Sequence, residues 1–321
     1  MKAIFHDRYG SAEVLEFRDL PLPPLGDDEV LVRVHAAGVN RGDGLAVEGI
    51  PYAARLTYGL TRPKHNIPGT DVAGRVEAVG KDVTALESGD DILGWTTGAF
   101  AEYTSTAASM LVRKPAHLTF EQAAATPTTG VAALQALRDV GRIEAGHRVL
   151  VVGASGGVGS FAVQIAKAFG AEVTGVASTR NIDLVRSTGA DHVIDYTRDD
   201  FTRHVYRYDL ILDMVGKETL SSSRRALRAN GTYVVVGGGN PRSITGMGRF
   251  AKAMLLSPFV SERLRPLFSK QNHQDLEALR ELLDTGRVLP VIDAVYDLRD
   301  TPEALHYVQA GHARGKAVIT I

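Results

Sequence analysis

The chain has no cysteine. That absence removes a disulfide framework, thiolate zinc ligation and a cysteine nucleophile together. Charge of one sign is also missing. The 36 Lys and Arg are matched by 37 Asp and Glu, for a formal net charge of −1, which offers no general attraction to nucleic acid or to an anionic membrane. No apolar run reaches the roughly 18 residues that a membrane-spanning helix needs, and the first residues, MKAIFHDRYG, hold no apolar core of signal-peptide length. The expectation is a soluble, cytoplasmic protein. Its 321 residues, 44% hydrophobic and 23% charged, suffice for about two domains with large cores.

Two textures follow one another along the chain. The first third reads as strands and turns: Lys2 to Phe5, Glu29 to Ala37 and Asp71 to Val79 are rich in Val, Ile and alternating residues, and Pro21, Pro23 and Pro24 interrupt them. This pattern predicts an irregular β domain. Gly49 to Pro68 is less periodic and is either a solvated connection or a lid over a pocket. From Thr119, a helix start, strands and helices alternate. Arg148 to Val152, Glu172 to Val176, His192 to Ile194, Leu210 to Asp213 and Tyr233 to Val236 are expected strands. Val158 to Phe169, Asn181 to Thr188 and Leu220 to Leu227 are expected helices. Short apolar strands separated by helices indicate a doubly wound parallel sheet. The pattern loosens over Gly237 to Ser269. Helices at Gln274 to Leu283 and Pro302 to Ala310 and a strand at Ala317 to Ile321 close the chain.

The most specific feature is the turn in RVLVVGASGGVGSFAVQIAKAFG. It sits between an apolar strand and an amphipathic helix, the context that a dinucleotide fingerprint requires. The spacing fits G-x-G-x-x-G with Ala154 in the first place, Gly156 in the third and Gly159 in the sixth. Gly156 lets the backbone approach a pyrophosphate, Gly159 lets the helix pack on the strand, and the helix N-terminus attracts phosphate. Ala154, Ser155, Gly156, Gly157 and Val158 are therefore expected cofactor contacts. After the next strand an NAD site carries Asp or Glu for the ribose hydroxyls. Here Ser178, Thr179 and Arg180 stand instead. An arginine suits a 2′-phosphate, so NADPH (or NADP+) is expected over NADH. Ser178 and Thr179 are also candidate N-caps for the following helix.

Eight motifs in order carry a wider likeness: AAGVNRGDG (36–44), PGTDVAGRVEAVG (68–80), GAFAEY (98–103), GASGGVGSFAVQIAKAFGAEVTGVAST (153–179), GADHVIDY (189–196), DMVG (213–216), NGTYVVVGG (230–238) and HARGKAVI (312–319). Together they resemble, from end to end, the zinc-independent medium-chain dehydrogenases/reductases of the quinone oxidoreductase group. The resemblance implies an α/β molecule with two lobes and an active site in the cleft between them. A β-rich, GroES-like catalytic lobe would take residues 1–122 and, on the chain's return, 268–321. A Rossmann NADP-binding lobe would take 123–267. Zinc-dependent relatives use Cys and His ligands; this chain has Asn40 in the early motif and Thr70-Asp71 in the next, so no metal is expected. The ten histidines form no spaced ligand cluster and read as surface or packing residues.

The same resemblance places Asn40 near the nicotinamide, Tyr196 near the adenosine phosphate, Lys316 near the cofactor, and Val215, Gly216, Gly237 and Gly238 near the nicotinamide half. Lys316 is otherwise a solvated tail charge, and Asp43 a structural hydrogen-bonding residue. Tyr52 and Tyr58 are candidate pocket-wall or proton-donating groups, or else core or lid packing. Many relatives contact the nicotinamide with a Thr where this chain has Ala132; either Thr128 or Thr129 takes its place, or the contact is lost. Metal-free hydride transfer suits a conjugated C=C–C=O or a quinone, where charge builds on an oxygen that a hydrogen bond can stabilise. The expectation is an NADPH-dependent reductase of such a small molecule, acting as a homodimer. Enoyl-thioester reduction and a non-catalytic NADPH-binding sensor or scaffold are the alternatives.

Overall fold

The computed structural model describes residues 1–203, 207–240, 242–243, 245–311 and 313–321. His312 of the HARGKAVI motif and Pro241 of the turn after Gly237 lie outside the described residues. The first third forms β1 (Lys2–Phe5), β2 (Glu16–Asp19), β3 (Glu29–Val39), α1 (Arg41–Glu48), α2 (Arg55–Tyr58), β4 (Asp71–Val79), β5 (Asp91–Trp95), β6 (Tyr103–Ala107) and β7 (Leu111–Arg113). Helices α3 (Phe120–Ala124) and α4 (Pro127–Gln135) lead into β8 (Arg148–Val152), α5 (Gly157–Ala168), β9 (Glu172–Ala177), α6 (Ile182–Ser187), β10 (His192–Asp195), β11 (Tyr208–Asp213), α7 (Leu220–Arg224), β12 (Leu227–Val235), α8 (Gly248–Leu256) and β13 (Arg263–Pro266). The chain ends with α9 (His273–Asp284), β14 (Ile292–Asp297), α10 (Thr301–Gln309) and β15 (Lys316–Thr320).

Two sheets organise the molecule. One runs β10-β9-β8-β11-β12-β13, all parallel. Its strand order reverses between β8 and β11, and ligands bind beyond the carboxyl ends of strands at such a switch point. The other runs β14-β15-β3-β4-β5-β7, with β6 also on β3. In it the last strand, β15, pairs antiparallel with β3, Ala317 opposite Val39, so the tail returns to the first third. One core joins the two sheets: Trp95, Leu134 of α4, Phe161 and Ile165 of α5, and Leu276, Leu279 and Leu283 of α9 share a buried cluster.

Where strand and helix signals are local, the expected elements stand within a few residues. Differences arise where tertiary pairing decides. The helix expected to reach Leu227 stops at Arg224, because Leu227 pairs with Tyr208 and opens β12. Helix α4 carries no amphipathic period because it is buried almost throughout. Strand β13 ends in Pro266 and is an edge strand, where proline is tolerated.

Candidate functional site

The glycine turn opens a cleft of about 620 Å³ at the switch point, bordered by Gly153, Ser155, Gly156, Ser178, Arg180 and Tyr196 among others. A Cβ on Gly159 would lie 2.1 Å from the Gly153 carbonyl oxygen and 2.8 Å from Ala154 Cα, so only glycine lets α5 approach β8 this closely. Gly156, the N-cap of α5, is different: a Cβ there would meet only the Gly153 oxygen at 3.6 Å. The space over it is free for a ligand. Ala154, one of the expected cofactor contacts, has its side chain fully buried in the core that joins the two sheets. Thr129 and Lys316 both flank Gly157: a Cβ there would lie 3.2 Å from Thr129 Cγ2 and from Lys316 Cδ. Val158 is partly buried and packs against the core that joins the two sheets.

Beyond β9, Ser178 and Arg180 border the cleft with Asn181. Thr179 is not among the residues that border it. Its hydroxyl donates to Asp195 at 2.6 Å and meets Thr197 at 3.0 Å. Neither Ser178 nor Thr179 caps the helix through its side chain; Asn181 N–H bonds the Ser178 carbonyl instead. Sequence reasoning missed Asn181, whose buried amide donates to Ser155 at 3.0 Å while its Oδ1 has no partner among the described residues. Its place four residues after the strand was the available signal. Tyr196 is exposed, with the Lys217 ammonium 5.7 Å from its ring centre. On the β11 side, Met214 and Val215 line the cleft. A Cβ on Gly216 would fall 2.6 Å from Gly238 Cα, and one on Gly237 would fall 2.5 Å from the Met214 carbonyl oxygen. The two loops are therefore in contact.

At the mouth of β3, burial gathers a polar cluster from four distant segments. Lys316 is only 3% exposed and is no solvated tail charge. Its ammonium donates to Val39 O (3.1 Å) and Asn40 Oδ1 (2.6 Å), 3.6 Å from Asp71. Asn40 Nδ2 donates to Asp71 at 3.0 Å, so the amide is oriented at both ends with one N–H to spare. Asp71 also accepts from the Thr128 backbone and hydroxyl. Asp43 accepts from Asn40 N–H (2.7 Å) and the Thr70 hydroxyl (2.9 Å), the structural role expected of it. Burial pushes the Asp43 carboxyl up to about 6, with the Asn40 N–H opposing the shift. Burial also raises Asp71 and lowers Lys316, each offset by the other's charge.

The two hydroxyls expected to stand in for the missing one at Ala132 are both engaged within the fold. Thr128 donates to Asp71 and accepts from the Trp95 indole at 3.2 Å, and Thr129 donates to the Ala125 carbonyl at 3.0 Å. Neither donor is free. Tyr52 and Tyr58 do not pack in the core. They are 56% and 43% exposed and do not border the cleft. The segment from Gly49 is nevertheless tied down: Arg55 bonds the Gly49 carbonyl, and its guanidinium lies 4.4 Å from the Tyr9 ring and 5.1 Å from the Tyr52 ring. Among the described residues, no three His, Asp or Glu side chains converge as a metal site would require, and no helix is long and apolar enough to cross a membrane.

Comparison with known proteins follows the same lines. Residues 26–116 match the family described as alcohol dehydrogenase GroES-like domain, and residues 188–319 the family described as zinc-binding dehydrogenase. The chain is 34% identical to mouse mitochondrial NAD(P)H oxidoreductase RTN4IP1, over 100% of this chain and 89% of that protein. It is 32% identical to tomato 2-methylene-furan-3-one reductase (99% and 79% covered) and 32% identical to human quinone oxidoreductase (100% and 98% covered). The solved quinone oxidoreductase of Coxiella burnetii superposes with a TM-score of 0.87 at 29% identity, covering 100% of this chain and 99% of that one. A mycobacterial protein, Rv1454c, solved with NADPH, gives 0.84 at 26% identity with both chains fully covered.

Proposed function

Since the chain belongs to the medium-chain dehydrogenase/reductase family, among its quinone oxidoreductases and enone reductases, we propose that it is an NADPH-dependent, metal-free oxidoreductase that transfers hydride to a quinone or an α,β-unsaturated carbonyl compound. The observation that carries this reading is the cleft at the strand switch point, open over Gly156 and bordered by Arg180 where an NAD site would place an acid. NADPH, when bound, supplies a hydride from its nicotinamide. The chain's own groups do the rest. The N–H groups at the start of α5 hold the pyrophosphate. Ser178 and Arg180 hold the 2′-phosphate, with Tyr196 beside the adenosine. Lys316 and Asp71 fix the Asn40 amide so that its remaining N–H can meet a substrate oxygen or the nicotinamide amide.

A zinc ion does not fit these residues, despite the description of the matched family. The positions that resemblance gives to metal ligands hold Asn40, Thr70 and Asp71. Asp71 already accepts from Asn40 and Thr128, and the Lys316 ammonium beside it would repel a divalent cation. We read residues 1–122 with 268–321 as the catalytic lobe and 123–267 as the cofactor lobe. We also propose a cytoplasmic homodimer with no nucleic-acid partner. The near-neutral charge supports the last point, and cell fractionation tests the location against that of the mitochondrial mouse relative.

The test is NADPH oxidation with a panel of quinones, alkenals and enoyl thioesters. Turnover of a quinone or alkenal is expected. Turnover of thioesters alone would make the protein an enoyl-thioester reductase, and tight NADPH binding without any turnover would make it a sensor or scaffold. Arg180→Ala should weaken NADPH about tenfold or more and NADH little. Equal loss for both would remove the 2′-phosphate assignment.

A further inference from the structure

Arg249 lies in the stretch from Gly239 to Ser269, where the sequence carries no recognisable chemistry. It is the second residue of α8, yet its side chain is only 12% exposed. Its guanidinium spans a loop wall of the cofactor cleft. Nη1 donates to the carbonyls of Gly216 (2.7 Å) and Glu218 (2.9 Å). Nη2 donates to Asp213 (2.5 Å) and to the Tyr233 hydroxyl (2.7 Å), which itself donates to Asp213. Asp213, the last residue of β11 and 1% exposed, grips the same loop from the other side: its Oδ1 accepts the N–H groups of Val215 (2.9 Å) and Gly216 (2.8 Å).

We propose that Arg249 is a positioning residue for the cofactor, locking the Val215–Glu218 wall of the cleft from helix α8. The inference rests on the NADPH reading above. A buried carboxylate such as Asp213 needs a counter-charge, but charge alone does not select arginine. Only a planar fork can serve a carboxylate and a phenol on one nitrogen and two backbone carbonyls on the other. The loop has few alternatives to the position so imposed. Gly216 and Gly238 are in backbone contact, so one loop cannot shift without the other. Val215, Lys217 and Glu218, which the fork holds in place, all border the cleft.

Arg249→Lys separates positioning from charge. It keeps a cation beside Asp213 but cannot bridge both carbonyls. Arg249→Ala removes both functions. Cofactor affinity is read by calorimetry, with melting temperature and steady-state kinetics alongside. For Arg249→Lys we expect a melting temperature close to wild type. Kd for NADPH should rise about tenfold, the scale of one lost charge-assisted hydrogen bond, and Kd for NADH by the same factor. KM for the cofactor should rise more than kcat falls. Free guanidinium should restore part of the affinity of Arg249→Ala. Unchanged Kd in Arg249→Lys, or a loss confined to NADPH, overturns the proposal. If the wild-type chain binds neither nucleotide, the cofactor reading fails first and this inference with it.

Discussion

Asp43 is buried beside a second carboxylate, Asp71, with the single ammonium of Lys316 between the segments that carry them. The consequence is a pH dependence with a definite sign. In the fold the Asp43 carboxyl titrates at about 6 against an ordinary value of 3.8. Between those values the folded chain holds a proton that the unfolded chain has released. Its contribution to stability therefore falls as pH rises through that window, by about 3 kcal/mol in total. Carboxyls held below their ordinary values, such as Asp90 through Arg113 and Asp195 through Thr179, act in the opposite sense. The comparison must therefore be internal. Asn at position 43 mimics the protonated acid, so Asp43→Asn should gain on wild type by that amount between about pH 4 and pH 7 in denaturant melts. A gap that stays constant with pH would show that burial does not perturb Asp43.

The strand–turn–helix of β8, the glycine turn and α5 makes two separable demands on glycine. Gly159→Ala drives a methyl into the Gly153 carbonyl and should destabilise the unliganded protein by about 1–3 kcal/mol, read as a lower melting temperature. Gly156→Ala meets only the Gly153 oxygen at contact distance. It should leave the melting temperature unchanged and weaken NADPH. Reversed outcomes would mean that the turn is not a cofactor cradle. This element was legible in the sequence because its signals are local: an apolar strand, a spaced glycine set and a helical period in one stretch. The polar cluster was not. Asn40, Asp71, Thr128 and Lys316 meet only because β15 lies on β3 and α4 begins beside β4, a fact of long-range register that no local pattern carries. Lys316 could therefore read as a solvated tail charge, with nothing local to mark its ties to Asn40 and Asp71. Helix α8 is a different case: its apolar residues are split between the core, where Ala253, Phe250 and Leu256 pack, and the exposed Met254 and Leu255, and its basic residues blur the pattern.

At the scale of the whole molecule, the parallel sheet ends at β13, whose outer edge pairs with no strand among the described residues. Beside it Met254, Leu255, Phe259 and Phe268 are 56%, 72%, 85% and 52% exposed, next to a depression of about 800 Å³ lined by Met254, Pro258, Val260 and Phe268. An open edge flanked by apolar side chains favours pairing with another chain, and a twofold axis would satisfy both copies at once. This is the surface on which the proposed dimer would form. Light scattering should then give about twice the 34.4 kDa of one chain, and Phe259→Lys should halve it. The same helix that exposes Met254 and Leu255 holds Arg249 against the cofactor loop. A dimer built there would brace the cleft wall from outside, so the monomeric variant should also bind NADPH several-fold more weakly, with its loss smaller than that of Arg249→Lys. A monomeric wild type would remove the dimer proposal. A monomeric variant with wild-type affinity would sever the edge from the cleft while leaving the role of Arg249 intact.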